Sequence, residues 1–241
     1  MNVLGIESTA HTLGVGIFSS SKGVLSNARS RYRPKGTGIL PREAADHHAL
    51  EFPRVLGSSL ESAKLKAHDI DAIAVAQGPG IGAPLSFGVG MARYLSSYLD
   101  VPIVGVNHPY AHVKIAEHFG KTERPIILYA SGGNTQILFE NPKGLYDVLG
   151  ETLDMGLGNL FDSFLREAGE RDAFGPRLEE LAEGGKYVRM PYVVKGLNIS
   201  YSGLFTHAKR MMGKHSIRDI AYSLLETSLS MTMEIRRGRS T

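Results

Sequence analysis

The chain has 241 residues, 42% of them apolar and 21% charged, and carries a net charge of +3. That length supports one large domain or two smaller lobes, and no run approaches the roughly 18 consecutive apolar residues of a membrane-spanning helix. Cysteine is absent, which excludes disulfides and thiolate ligands and leaves nitrogen and oxygen donors for any metal.

Met1 leads straight into a strand-like run, which leaves no room for a signal or transit peptide, so a cytoplasmic location is expected. Residues 2–7, NVLGIE, read as a strand. Ser8-Thr9-Ala10-His11-Thr12 forms a short polar turn, and Leu13 to Phe18 returns as a second strand. A hydroxyl-rich turn of this kind offers N–H and Ser/Thr groups to a phosphate, as at the start of actin-like and sugar-kinase folds, and plain hairpins share it. A third strand is expected near Lys22 to Ser30, followed by a Gly/Pro-rich basic loop at residues 31–42. Glu43 to Leu65 has helical periodicity, with Ala45, His48, Ala49, Phe52, Val55, Leu56 and Leu60 on one side. Asp46-His47-His48 within it reads first as a solvated helix face and second as a metal cluster.

Ile70 to Val75 reads as a buried strand running into Gln77-Gly78-Pro79-Gly80-Ile81-Gly82-Ala83-Pro84, where glycines let the backbone approach a ligand or another strand. A helix follows from about Leu85 to Leu99. Val101 to Val106 reads as another buried strand. Asn107 then suits a helix cap and Pro109 suits a first turn, which predicts a helix reaching Phe119. His108 and His112 sit four apart on one face of that helix. At this spacing they serve either as two ligands of one metal ion or as two polar residues at a helix start. A zincin-type peptidase needs Glu after the first histidine, and Pro109 stands there. The β-α-β-α order, with the opening hairpin, predicts an α/β lobe over residues 1–124.

Ile126 to Tyr129 begins a new strand, broken by Ser131-Gly132-Gly133-Asn134-Thr135 and resumed from Gln136 to Phe139. This repeats the layout of residues 2–18 and predicts the start of a second lobe over residues 125–241. Leu153 to Ala168 reads as a helix carrying Asp154, Asn159 and Asp162, the last being a functional carboxylate or an ordinary exposed acid. Phe174-Gly175-Pro176 punctuates the chain, and Arg177 to Ala182 makes a short helix ending at Gly184-Gly185. Residues 188–207 read as loop and short extended pieces, and Ile217 to Ile235 as a final helix. Arg236, Arg237 and Arg239 form the one dense basic cluster, and the scattered basic residues elsewhere permit RNA contact without demanding it.

A set of motifs runs through the chain in order: GIESTAHTLGVGI (5–17), YRPKGTGILPREAADHH (32–48), GPGIGAPLSFG (78–88), GVNHPYAH (105–112), LYASGGNTQ (128–136), LGETLDMGLGNLFD (149–162), GPRLE (175–179) and VVKGLNISYSGL (193–204). In this set the chain resembles the universal tRNA threonylcarbamoyladenosine synthases, the catalytic subunits of the archaeal and eukaryotic KEOPS complex, once described as O-sialoglycoprotein endopeptidases. The resemblance implies an α/β, actin-like (ASKHA) two-lobed ATPase fold with a helical insertion at about 149–215. It implies transfer of threonylcarbamoyl from threonylcarbamoyl-adenylate to the adenosine 3′ of the anticodon in ANN-reading tRNAs. It also implies one iron or zinc ion per subunit, with His108, His112 and Tyr129 as ligands. Tyr129, Ala130, Ser131, Gly132 and Gly133 would contact the adenylate, and Asp162, Gly175 and Glu179 would hold its adenosine. Such an ion polarises a carbonyl or steadies a leaving phosphate. Glu7 and His11, in the first turn, are the candidate general bases. The implied partners are tRNA and KEOPS-type subunits, a small kinase-like protein and a dimerisation subunit, and no membrane.

The chain also departs from that family. Members continue past this length with a second Gly-rich nucleotide segment and a late Asp that completes the metal shell. The second lobe is therefore expected to be incomplete, with exposed strand edges and apolar surface. The alternatives to the transferase are a non-catalytic scaffold paralogue of the same pathway and, less favoured, a metallopeptidase.

Overall fold

A computed structural model describes residues 1–34, 38–121, 125–170 and 175–237, without the side chains of 235–237. Residues 35–37 of the basic loop, residue 124 at the expected lobe boundary, Phe174 and the tail 238–241 lie outside the described residues, as do the side chains of Arg236, Arg237 and Arg239. The chain divides into two compact units, Met1–Phe119 and Gly120–Thr241.

The first unit is a five-stranded mixed sheet in the order β3-β2-β1-β4-β5. β1 (Asn2–Glu7), β2 (Thr12–Ser19) and β3 (Gly23–Arg31) form an antiparallel meander, and β4 (Ala72–Gly78) and β5 (Ile103–Asn107) add parallel to β1. Alternation along these strands puts Leu4, Ile6, Leu13, Val15, Ile17, Ile73 and Val75 into the core. Helices α1 (Pro41–Ala63) and α2 (Gly82–Leu99) cover that face with Phe52, Val55, Ala92 and Leu95. Both helices stop at residues in the left-handed region, Lys64 and Asp100. The α1 stripe is turned slightly from the expected one: Ala44 and Ser59 are buried, and Ala49 faces solvent. β5 also differs from expectation. It is an edge strand, and Ile103 and Val104 are 40% and 55% exposed. Its apolar run matches a buried parallel strand, but nothing in the sequence says which strand lies last. α3 (His108–Gly120) follows it directly.

The second unit opens with a three-stranded antiparallel sheet, β6 (Ile126–Ala130), β7 (Thr135–Glu140) and β8 (Tyr146–Glu151). β8 is an addition to the expected elements. The helix expected from Leu153 begins only at Leu157, as α4 (Leu157–Glu167), followed by α5 (Gly175–Ala182). A hairpin of β9 (Val194–Lys195) and β10 (Asn198–Ile199) leads into α6 (Ser202–Met211), where extended chain was expected, and α7 (Ile217–Arg237) ends the unit. The core lies among the helices: Leu160, Phe164 and Leu165 of α4, Leu178 of α5, Leu204 of α6, and Ile220 and Leu224 of α7. Asp154 explains both displaced boundaries. Its carboxylate accepts the N–H groups of Tyr201 (2.9 Å) and Ser202 (3.0 Å) and the Ser200 hydroxyl, so it leaves α4 and caps α6.

Candidate functional site

The C-terminal ends of the parallel strands β1, β4 and β5 lie along one edge of the first sheet. Glu7 ends β1, and His108 opens α3 as soon as β5 finishes. The side chain of Asn107 accepts the N–H of Tyr110 at 3.1 Å, so it caps α3 as expected, and Pro109 occupies the first turn. One helical turn then brings the His108 and His112 rings edge to face, with their Nε2 atoms 3.2 Å apart. On the other side of His108, Nδ1 lies 3.1 Å from Glu7 Oε2.

The donors fit a metal ion. Two imidazole nitrogens bound to one zinc at about 2.0–2.1 Å each stand roughly 3 Å apart, and the observed 3.2 Å matches two positions of one shell. Among the described residues no group of three or more His, Asp or Glu side chains is arranged to hold a metal ion, so the pair supplies part of a shell. Burial, and then the neighbouring His108, lowers the pKa of His112 against the opposing pull of Glu7. That favours the neutral imidazole, the form that offers a lone pair. Burial alone would raise the pKa of Glu7, but hydrogen bonds from His108 and Thr9 outweigh it and hold the carboxylate ionised.

Of the two readings of the turn after β1, the plain hairpin suits its hydroxyls better than the phosphate-presenting turn. Ser8 and Thr9 are 1% and 3% exposed. Ser8 Oγ donates to Pro84 O at 2.9 Å, and both the N–H (2.7 Å) and the hydroxyl of Thr9 donate to Glu7 Oε1. The hydroxyls are committed inside the protein. The glycines of the 78–82 turn and of α2 make this possible. A Cβ on Gly80 would lie 2.6 Å from Thr9 O, and one on Gly88 would lie 1.9 Å from Ser8 Oγ. The close backbone approach expected of these glycines is therefore onto the first turn.

His11 follows in the same turn and is half-buried. Burial lowers its pKa, and Arg31 and His48 add to the effect. His48 follows the apolar side given by the helical periodicity rather than the solvated face read for Asp46-His47-His48. It is fully buried, its Nε2–H donates to Ala10 O at 3.0 Å, and its Nδ1 lies 3.2 Å from Nδ1 of His47. Burial lowers its pKa despite the Ala10 hydrogen bond.

In the second unit, Tyr129 is half-buried and Ala130 exposed at the end of β6, paired with Gln136 and Thr135. Ser131 to Asn134 form a closed turn: Ser131 N and Oγ both donate to Asn134 O (2.8 and 2.9 Å), and Asn134 N donates to Ser131 Oγ at 3.0 Å. The turn sits on the start of α4. Gly158 N and Asn159 N donate to the carbonyls of Ser131 and Gly132, and Leu157 N donates to Thr135 Oγ1. Gly156 and Gly158 allow this contact, since a Cβ on Gly156 would lie 2.6 Å from Asn134 N. Within the turn the exposed Gly132 and Gly133 keep their N–H groups unpaired among the described residues, whereas the Ser131 hydroxyl is used internally. Asp162 is half-buried on α4. Gly175, whose Cβ would stand 3.9 Å from the Phe161 ring, opens α5, and Glu179 is exposed one turn along it.

The structure thus joins Glu7, His108 and His112 in one unit and places the Tyr129–Gly133 segment with the α4 and α5 residues in the other. Sequence reasoning paired the two histidines but missed the Glu7–His108 contact, which spans 101 residues and has no local signature.

Comparison with known proteins identifies the family. The family profile of tRNA N6-adenosine threonylcarbamoyltransferase (TsaD) matches residues 23–238. A protein of that name from Thermofilum pendens is 47% identical over 238 residues, covering 98% of this chain and 70% of the relative. One from Nanoarchaeum equitans is 48% identical over 236 residues, covering 98% of this chain and 74% of the relative. Among solved structures, HypF of T. kodakarensis has a TM-score of 0.62 at 16% identity, covering 99% of this chain and 40% of that one. Component A of Acidaminococcus fermentans (R)-2-hydroxyglutaryl-CoA dehydratase has a TM-score of 0.56 at 11% identity, covering 100% of this chain and 80% of that one. At these identities the likenesses show the fold alone, the expected α/β actin-like (ASKHA) type. The profile and the two relatives show more: the chain belongs to the tRNA N6-adenosine threonylcarbamoyltransferase family.

Proposed function

We propose that this chain transfers a threonylcarbamoyl group to the N6 amino group of an adenosine in tRNA. The observation that carries the reading is the identity of 47% and 48% to two transferases over 98% of the chain. The finer reading takes threonylcarbamoyl-adenylate as donor and the adenosine 3′ of the anticodon in ANN-reading tRNAs as acceptor. The N6 amine attacks the carbamoyl carbon, a C–N bond forms, the bond from that carbon to the phosphate oxygen breaks, AMP leaves, and one N6 proton is lost. His11 is the proposed acceptor of that proton, because burial, Arg31 and His48 favour its neutral form. The unpaired N–H groups of Gly132 and Gly133 suit the phosphate. Asp162, Gly175 and Glu179 are proposed to hold the adenosine.

His108 and His112 are the proposed nitrogen ligands of one iron or zinc ion, with Tyr129 as the oxygen donor that the resemblance adds. When bound, that ion supplies Lewis-acid polarisation of the carbonyl and charge neutralisation at the phosphate. The proposed lobes are residues 1–124 and 125–241, with the insertion at about 149–215. tRNA is the proposed nucleic-acid partner, KEOPS-type subunits are the proposed protein partners, and the cytoplasm is the proposed location. No helix among the described residues is long and apolar enough to cross a membrane.

The test is to incubate the chain, alone and with KEOPS-type subunits, with threonylcarbamoyl-adenylate and tRNA, and to measure modified adenosine and bound metal. Modified tRNA that disappears in a His108→Ala/His112→Ala variant supports the reading. Folded protein with neither metal nor product under any of these conditions overturns it and leaves the scaffold reading.

A further inference from the structure

We infer that Glu7 is a positioning residue for the metal pair, fixing the His108 ring so that its Nε2 lone pair points where the Nε2 of His112 points. The inference rests on the reading of His108 and His112 as ligands and goes beyond it, because Glu7 is not itself a ligand in this arrangement.

The geometry is a relay with a defined direction. A carboxylate only accepts hydrogen bonds, so the 3.1 Å contact between Glu7 Oε2 and His108 Nδ1 places the imidazole proton on Nδ1. In the neutral ring the lone pair is then on Nε2, the atom 3.2 Å from His112 Nε2. Thr9 Oγ1 also lies 3.3 Å from His108 Nδ1, but its proton is directed to Glu7 Oε1 and it does not compete as a donor.

The carboxylate is itself fixed. Oε1 accepts two hydrogen bonds from Thr9, which turns Oε2 toward His108. Thr9 cannot drift, because it is buried, its carbonyl accepts the N–H of Ile81 at 2.7 Å, and Gly80 lies directly against it. Gly80, Thr9, Glu7 and His108 form a strut from the β4–α2 turn to the candidate ligand. Partners of this kind, which fix the tautomer and raise the basicity of a ligating histidine, typically change metal affinity by about 10–100-fold when removed.

The experiment titrates Zn²⁺ into the metal-free full chain against a competing chelator for the native protein, Glu7→Gln, Thr9→Val and His108→Ala. Long-range ¹⁵N spectra of the metal-free proteins read the His108 tautomer. Glu7→Gln is expected to weaken zinc binding by about 10–100-fold and to move His108 away from the pure Nδ1–H tautomer, with little change in melting temperature. Thr9→Val is expected to loosen the carboxylate and give a smaller loss in the same direction, and it decides the matter if Glu7→Gln does not fold. If His108→Ala abolishes zinc binding while Glu7→Gln and Thr9→Val leave affinity and tautomer unchanged, the role of Glu7 is overturned and the ligand reading stands. If the native chain and His108→Ala bind zinc alike, or neither binds, both fall together.

Discussion

The two units begin with the same layout, three antiparallel strands with a polar turn between the first two, and diverge after the third. In the first unit the chain passes through α1 and returns as β4, parallel to β1, so β1 is paired on both sides. In the second unit the chain passes into helices, and β6 is paired only with β7 among the described residues. Burial follows pairing and cover. Leu4 and Ile6 of β1 are 2% and 3% exposed, whereas Ile126 and Leu128 of β6 are 48% and 46% exposed. Similar apolar strands therefore have different energetic weight: β1 lies in the core of its unit, and the second unit keeps most of its core in α4, α5, α6 and α7.

The strongest way to break this comparison is to truncate matched side chains. Leu4→Ala and Phe164→Ala should each lower stability by about 2–5 kcal/mol, and Leu128→Ala should stay within about 0.5 kcal/mol. Urea unfolding measures all three, and a Leu128→Ala loss equal to that of Leu4→Ala would show β6 to be core. Next come the glycines at which each polar turn meets a helix or its approach. Gly80→Ala and Gly156→Ala both place a Cβ 2.6 Å from a backbone atom of the turn, and each should destabilise by about 1–3 kcal/mol. They separate on the His108 tautomer: Gly80→Ala should move it through Thr9 and Glu7, and Gly156→Ala should leave it unchanged.

Asp154→Asn should cost about 1–2 kcal/mol as a lost cap of α6, with a pH signature. Burial opposes ionisation of Asp154, but the hydrogen bonds from residues 200–202 prevail and its pKa lies well below the ordinary carboxylate value. A depressed folded pKa gives stability that is complete above the unfolded value of about 3.9 and is lost as pH falls toward the folded one. The gap between native and Asp154→Asn urea midpoints should therefore hold from neutral pH to about 4 and shrink below it. The smallest effect is expected for Leu128→Lys. Urea unfolding should show a stability change of less than about 0.5 kcal/mol, because Leu128 is 46% exposed.

What the sequence made legible was local. Alternating apolar residues located β1, β2 and β4, and Asn107 with Pro109 located the start of α3 and, with it, the histidine pair. What stayed hidden depends on distant neighbours. β5 looks buried until its edge position is known. His48 lies on the apolar side of α1 by periodicity, but its partner, Ala10 O, is hidden until the first turn is packed against it. Asp154 looks helical until Tyr201 and Ser202, whose N–H groups need an acceptor, are brought beside it. The Glu7–His108 contact belongs to the same class, since only the sheet order brings the ends of β1 and β5 to one edge.

That sheet order also sets a timetable. The β1–β2–β3 meander is local in sequence and can form while the rest of the chain is still emerging. β5 is joined to β1 only through β4, which lies between them. Contacts across long sequence separations carry a loop-closure cost that slows folding. Joining His108 to Glu7 closes a stretch of 101 residues, whereas the histidine pair needs only one helical turn. The Glu7–His108 contact, unlike the local histidine pair, exists only in molecules whose first sheet has brought the ends of β1 and β5 together.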